Sequence, residues 1–145
     1  MTYLLDKLRE WDETRPGEKC IVVSSFVAAL DLLEKFLEEN AISSCRYTGA
    51  MSQEARLSAI HKFRNNDDTA VMLLSLKAGG VGLNLASAAC KVISLDLAWS
   101  PAIEAQAFDR VHRIGQTRPV EIERLTIADT VEQRSESHGP SSSFC

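Results

Sequence analysis

The sequence predicts an α/β fold in which a mostly parallel β-sheet is covered by helices on both faces. Three observations lead to this prediction. Short runs that are apolar throughout are typical of strands buried in a parallel sheet. These runs alternate with amphipathic segments whose apolar residues recur at helical spacing. Polar turns separate the segments, so their order along the chain is that of repeated βαβ units.

The first half of the chain contains two predicted helices and two predicted strands. A helix is predicted at 3–11, and the apolar, β-branched run "CIVVSS" predicts a buried strand at 20–25. A second helix is predicted at 26–40, with acidic residues opposite its apolar face, and a short strand follows at 43–48. The apolar stripes of the two helices are Leu4, Leu5, Leu8 and Trp11, and Leu30, Leu33, Phe36 and Leu37.

The second half continues the alternation. A third helix is predicted at 52–63, with Leu57, Ile60 and Phe63 as its apolar residues. Strands are predicted at 70–75 and 91–97, on the runs "AVMLLS" and "KVISLDL". The last strand, at 120–127, alternates apolar and charged residues, which indicates that it lies near an edge of the sheet or has one face less buried.

A fourth helix is predicted at 101–114. Ser100 suits its N-cap position, and Pro101 suits the first helical position because proline lacks the N–H that would stay unbonded there. Its buried stripe is predicted to be Ile103, Ala107, Val111 and Ile114.

Composition limits the class of protein. The chain has 145 residues, of which 45% are hydrophobic and 25% charged, as in a soluble globular domain. No apolar run is long enough to span a bilayer, and the first residues lack a signal-peptide pattern. We therefore expect neither secretion nor membrane insertion. A net charge of -4 argues against a protein that coats DNA by charge alone, so any nucleic-acid contact must be local.

Ligands of open parallel sheets bind at the carboxyl ends of the strands. The candidate loops are 24–26, 48–52, 75–84 and 96–101, and we expect them to gather along one edge. The loop "SLKAGGVGLNL" contains Gly79, Gly80 and Gly82, which would let backbone amides approach a phosphate closely. A tight structural crossover is the alternative.

Two better-known phosphate loops do not match. A dinucleotide-binding loop needs a third glycine where Leu85 stands, and the Walker A string G-x-x-x-x-G-K-[ST] occurs nowhere in the chain. The three histidines and four cysteines show no metal-ligand spacing, so no metal site is predicted, and reduced structural thiols are expected.

The fourth helix carries a second stripe, formed by Gln106, Arg110 and Arg113, beside its apolar one. Arginines at the rim of a buried face are partly desolvated, which strengthens their attraction to a phosphate. The alternative is that Arg110 pairs with a nearby acid. Near the other loops, Arg56 and Lys77 either contact a phosphate or are solvated. Trp99 is either a core residue or stacks on a base.

Several motifs together resemble a known family. "QAFDRVHRIGQTRPV" at 106–120 looks like the sixth motif of Swi/Snf-type DNA translocases, in helicase superfamily two, and "SLKAGGVGLNL" resembles their fifth motif. The strings "IVVSSF", "YTGAMSQEARLSAIHKF" and "DLAWSP" resemble further elements in the family order. The resemblance runs from about Tyr3 to Arg134. It is closest to the repair-associated branch, whose full-length members often carry a RING finger.

The resemblance implies the second RecA-like lobe of an ATP-driven motor on double-stranded DNA, either bare or in nucleosomes. ATP and Mg²⁺ would be held mainly by a separate N-terminal lobe, acting in cis or in trans. The implied roles are arginine fingers for Arg110 and Arg113, nucleotide contacts for Gly80, Gly82, Asn84 and Gln106, and DNA contacts for Ser25, Arg56, Ser75, Lys77 and Trp99.

The lobe is expected at 1–134, followed by a disordered tail at 135–145, and a nuclear location is expected if the source is eukaryotic, otherwise a cytoplasmic one. Without a Walker A sequence the chain should not hydrolyse ATP alone. A module that binds DNA or a partner without catalysis is the main alternative. A dinucleotide-dependent oxidoreductase is disfavoured by Leu85 and by the lack of proton-transfer groups.

Overall fold

The computed structural model describes residues 2–78, 85, 88–96, 101–108 and 117–125. Its helices are α1 Thr2–Thr14, α2 Val27–Glu39, α3 Gln53–Asn65 and α4 Pro101–Phe108. Its strands are β1 Lys19–Ser24, β2 Ser44–Tyr47, β3 Val71–Ser75, β4 Ala89–Ser94 and β5 Glu121–Arg124. The predicted order of helices and strands is confirmed in this part of the chain. The predicted tail and the end of the fourth helix lie outside the described residues.

The described strands form one sheet in the order β2-β3-β1-β4-β5, and every neighbouring pair is parallel. The central strand β1 is buried at every position, as its unbroken apolar run predicts. In β5, partly buried residues alternate with exposed ones, and this strand lies at the end of the observed order. Both sequence-based expectations for the strands are therefore confirmed.

Two hydrophobic clusters cover the two faces of the sheet. On one face, α1 and α2 pack against the strands through Leu8, Trp11, Leu30 and Leu33. On the other, Phe63 of α3 and Phe108 of α4 belong to the cluster. Because successive strand residues point to opposite faces, Val22 joins the first cluster and its neighbours Ile21 and Val23 join the second. This is the predicted three-layer, RecA-like arrangement.

One predicted core residue is not in the core. The side chain of Leu57 is 60% exposed, whereas Phe63 of the same helix is fully buried. At 100° per residue, Leu57 lies about 120° around the helix from Phe63, whereas the buried Ala59 lies only about 40° from Phe63, on the side away from Leu57. The apolar spacing of the third helix therefore predicted the helix correctly, but it assigned Leu57 wrongly to the buried face.

The first helix is joined to the last described strand by side chains. The Trp11 indole N–H donates to Glu121 at 3.2 Å, Arg15 pairs with the same carboxylate, and the Tyr3 hydroxyl donates to Glu123. We call these contacts the α1–β5 seam. Within the described residues, no helix has the length and the apolar character needed to cross a bilayer.

Candidate functional site

The carboxyl ends of neighbouring strands meet at one edge of the sheet, which we call the carboxyl edge. Ser24, the last residue of β1, is in register with Ser75, the last residue of β3, and Val23 is in register with Ser94 at the end of β4. All three serines are buried, with 1% exposure or less. The candidate loops therefore start from adjacent points, as the sequence predicts, although 79–84 and 97–100 lie outside the described residues.

Asp96, just after β4, joins two of these loops. Its Oδ1 accepts the backbone N–H of Ser25 at 2.9 Å, and its Oδ2 accepts the hydroxyl of Ser24. The Ser24 hydroxyl oxygen in turn accepts the backbone N–H of Phe26 at 3.0 Å. Sequence reasoning did not include Asp96 among the site residues. The signal that could have found it is an acid directly following a buried strand, at the same edge as Ser24.

Arg56 holds the loop between β2 and α3. Its Nε donates to the carbonyl oxygen of Thr48 at 3.1 Å, and its Nη2 donates to that of Gly49 at 2.6 Å. The guanidinium carbon also lies 5.6 Å from the centroid of the Tyr47 ring. The two bonds use two of the five N–H donors of the guanidinium. Arg56 is thus fixed at the carboxyl edge by its own loop, a role that neither sequence-based alternative contained.

The start of the glycine-rich loop turns tightly beside β1. The N–H of Leu76 donates to the Ser24 carbonyl at 3.0 Å, and the N–H of Ala78 donates to the Ser75 carbonyl at 2.9 Å. Between them, the Lys77 side chain is exposed. Leu85 is fully buried, so this position serves the core. Gly80, Gly82 and Asn84 lie outside the described residues.

Two exposed apolar residues lie at the start of α2 on the same edge. Phe26 is 65% exposed and Val27 is 40% exposed. The sequence reasoning assigned both to a helix but did not consider them as site residues. Their position before the first inward leucine, Leu30, is the signal that marks them as lying outside the buried stripe.

The fourth helix begins at Pro101, as predicted, and Gln106 on it is exposed. Phe108 is buried, and the Arg124 guanidinium lies 5.2 Å from the centre of its ring. Trp99, Arg110 and Arg113 lie outside the described residues, so their roles stay predictions.

A cavity of about 330 Å³ lies at the opposite, amino end of the sheet. Lys91, 1% exposed, reaches into its wall, with Nζ 3.1 Å from Oε2 of Glu18 and 3.3 Å from the carbonyl oxygen of Trp11. Burial alone would raise the pKa of Glu18, but its interactions with Lys91 and Cys90 hold that pKa below its ordinary value.

Lys19, in the same wall, donates to the backbone carbonyls of Phe63 and Asn66 at 2.5 and 2.7 Å. The ammonium groups of Lys19 and Lys91 thus both bind to oxygen atoms of this same domain. Within the described part of the chain, no group of three or more histidine, cysteine or acidic side chains could hold a metal ion.

Comparisons with known proteins agree on one family. A family model described as the helicase conserved C-terminal domain matches residues 1–115. The DNA repair protein rad8 of Schizosaccharomyces pombe is 44% identical over 131 residues, which are 90% of this chain and 12% of that protein. The helicase-like transcription factor CHR28 of Arabidopsis thaliana is 53% identical over 116 residues, which are 80% of this chain and 12% of that protein.

A solved structure has the same fold. The crystal structure of the C-terminal part of the Fun30 ATPase domain matches with a TM-score of 0.85 and 35% sequence identity, over 92% of this chain and 43% of that one. The chain spans about one-eighth of the length of the curated relatives named above.

Proposed function

The chain belongs to the family of helicase conserved C-terminal domains, and we propose that it is the second lobe of an ATP-dependent double-stranded DNA translocase. The observation that carries this proposal is the match to that family over residues 1–115, together with the parallel sheet whose loops meet at one edge. The likeness to DNA repair proteins supports the repair-associated, Swi/Snf-type branch that the motifs indicate.

The carboxyl edge is proposed to contact DNA. The chain is acidic overall, with a net charge of -4, so contact has to come from a local surface. The exposed Lys77 supplies positive charge there, and Ser25 begins the loop that ends in the exposed Phe26. Arg56 has three guanidinium N–H donors beyond the two that hold its loop. Ser75 is buried behind this surface, and Trp99 is proposed as a further contact from the sequence motif.

We propose that the fourth helix and the glycine-rich loop act on the nucleotide. Phosphoryl transfer needs positive charge at the transferring group, which arginine fingers provide. We assign that role to Arg110 and Arg113, with Gln106, Gly80, Gly82 and Asn84 beside the nucleotide. ATP, and Mg²⁺ with it, would be held mainly by a separate N-terminal lobe. The lack of a Walker A string in this chain, and the exposure of Gln106 on α4, support that division.

A chimera tests the proposal. This chain replaces the matching 131 residues of the S. pombe relative, and ATP hydrolysis is measured with and without duplex DNA, beside the unaltered relative. We expect DNA-stimulated hydrolysis that falls about a thousandfold or more in Arg113→Ala. Arg9→Ala is the matched control, because Arg9 is exposed and lines the cavity at the opposite end of the sheet.

Two results would count against the proposal. A chimera that is inert while the unaltered relative responds to DNA would oppose the lobe assignment. Full activity of Arg113→Ala would refute the arginine finger while leaving the lobe assignment in place.

A non-catalytic module that binds DNA or a partner is the second candidate, and the missing Walker A string favours it. It predicts that the chain binds duplex DNA in a salt-dependent way but that the chimera does not hydrolyse ATP. A nuclear location is proposed from the likeness to eukaryotic DNA repair and transcription proteins, and imaging of a tagged chain tests it.

A further inference from the structure

We infer that Asp96 is a positioning residue that holds the loop at the start of α2 in the conformation that contacts DNA, an inference that rests on the proposed function. Asp96 would act through the backbone of Ser25 and not by touching the nucleic acid. Asp96 begins the family string "DLAWSP", but the resemblance assigned it no role, and the role inferred here follows from hydrogen bonds between two loops that are 71 residues apart in sequence.

Asp96 holds the loop through its carboxylate group. Both of its carboxylate oxygens accept the Ser25 N–H, at 2.9 and 3.2 Å, and one also accepts the Ser24 hydroxyl. Hydrogen bonds that involve a charged group are about twice as strong as neutral ones. The backbone at Ser25 is therefore held by the loop that follows the neighbouring strand β4.

The N-cap residue of α2 does little to hold this loop. Phe26 occupies the N-cap position of α2 but makes no side-chain capping hydrogen bond. Helix starts are commonly stabilised by a serine, threonine, aspartate or asparagine at the N-cap, whose side chain accepts a backbone N–H of the first turn. Phe26 is also 65% exposed, so little of its side chain is held by packing. Asp96 lies outside α2 and provides the anchoring hydrogen bonds that the side chain of the N-cap residue does not.

Asp96 is itself held in place by hydrogen bonds at the end of β4. The Ser94 hydroxyl donates to the backbone carbonyl of Asp96 at 2.8 Å, and the N–H of Leu95 donates to the Val23 carbonyl at 2.9 Å. Asp96 thus leaves β4 in a defined direction, toward β1. The same chain segment leads on to α4, so one residue ties the DNA-facing loop to the segment before the predicted nucleotide helix.

The direction in which Asp96→Ala changes DNA affinity distinguishes a positioning role of Asp96 from a purely electrostatic one. Removal of a negative charge beside a DNA surface would strengthen binding if charge alone mattered. If Asp96 positions the loop, Asp96→Ala weakens binding although it makes the surface less acidic. Because no lysine or arginine is removed, the dependence of affinity on salt concentration should keep its slope.

The experiment uses the chimera described above. The measured quantity is the duplex concentration that gives half-maximal stimulation of ATP hydrolysis, at several salt concentrations. We expect Asp96→Ala to raise it about tenfold, with the maximal rate changed less than about threefold. Asp96→Asn should recover part of the loss, because its amide oxygen can accept the Ser25 N–H.

Two further variants guard against a folding defect. Ser24→Ala removes one hydroxyl and should cause a smaller shift in the same direction. Asp68→Ala is the matched control, because Asp68 is exposed and lines the cavity at the opposite end of the sheet. Thermal melting of each variant reports folding separately from binding.

The outcomes are distinct. A chimera that ignores duplex DNA while the unaltered relative responds would overturn the proposed function and this inference with it. Unchanged or tighter binding by a folded Asp96→Ala in a responsive chimera would overturn the inference alone. Weaker binding with an unchanged salt slope, partly restored by Asp96→Asn, would support it.

Discussion

Lys91 and Glu18 form an ion pair beneath the first helix, with Nζ 3.1 Å from Oε2. The lysine side chain is 1% exposed, and Nζ also donates to the Trp11 carbonyl and lies 5.2 Å from the centre of the Trp11 ring. A buried ammonium group is tolerated only when it is paired and hydrogen-bonded. The pair thus explains how a charged residue occupies a strand that is otherwise buried.

Loss of the pair should be costly. Since removal of one partner leaves the other charge uncompensated, Glu18→Ala is expected to lower the free energy of unfolding by about 3–5 kcal/mol. Lys91→Met, which replaces the ammonium by an apolar group of similar length, should cost less than Lys91→Ala. Urea unfolding followed by tryptophan fluorescence measures the differences. Equal stability of Glu18→Ala and the parent chain would contradict the pairing.

Stability should fall in mild acid. Burial alone would raise the pKa of Glu121, but hydrogen bonds from Arg15 and Trp11 hold it below its ordinary value, as Lys91 and Cys90 do for Glu18. Between the lowered pKa of the folded state and the ordinary value of about 4.3, the unfolded chain binds more protons. Stability from these groups is therefore complete above about pH 5 and is lost as the pH falls through the folded-state pKa values.

This prediction is checked by measuring the melting temperature between about pH 6 and pH 3, which are roughly the limits of carboxyl titration. A variant that combines Glu18→Gln and Glu121→Gln should be less stable at neutral pH and should lose less on acidification. The same loss in variant and parent would place the acid sensitivity elsewhere.

Two apolar residues of α3 should differ sharply. Phe63 is fully buried, so Phe63→Ala should lower the free energy of unfolding by about 3–5 kcal/mol through lost burial and a cavity. Leu57 is 60% exposed, so Leu57→Ala should change it by less than about 0.5 kcal/mol. Chemical unfolding of both variants makes the comparison. Similar losses would return Leu57 to the core, where its helical spacing alone had placed it.

The buried thiols should be unreactive in the native protein. Burial raises the pKa of Cys45 to about 12, and it raises the pKa of Cys20 as well. Because the thiolate is the reactive form, alkylation of both should be at least about a hundredfold slower at pH 8 than in urea. Mass spectrometry of peptides after timed labelling measures each rate. Rapid native labelling of Cys20 would contradict its burial in β1.

Much of the fold could be predicted because the local patterns agree with the final structure. The run at 20–25 is apolar throughout, and it forms the central strand; the alternating run at 120–127 contains the strand at the end of the sheet. The pattern of the central strand depends only on burial of its own side chains. In the strand at the end of the sheet, Glu121 and Glu123 are partly buried and Ile122 is 40% exposed, because the two acids contact α1.

The features that the sequence did not predict depend on contacts that form only when the chain is folded. Asp96 became a candidate only when β4 was seen beside β1, because its hydrogen-bond partners are Ser24 and Ser25. Arg56 looked like a free cation in the sequence, yet the carbonyl oxygens of its own loop bind it. Charge counts and helical spacing contain no information on either arrangement. The roles of Arg110 and Arg113 stay predictions, because they come from a motif and lie outside the described residues.

The α1–β5 seam has a consequence for how this chain matures on the ribosome. Tyr3 and Glu123 are 120 residues apart, and Trp11 and Glu121 are 110 apart. The first helix is synthesised before the carboxylates that complete its contacts, which emerge last among the described strands. A nascent chain that stalls before residue 121 would carry a tryptophan and an arginine without these partners, and would be a substrate for chaperones or proteases until translation resumes.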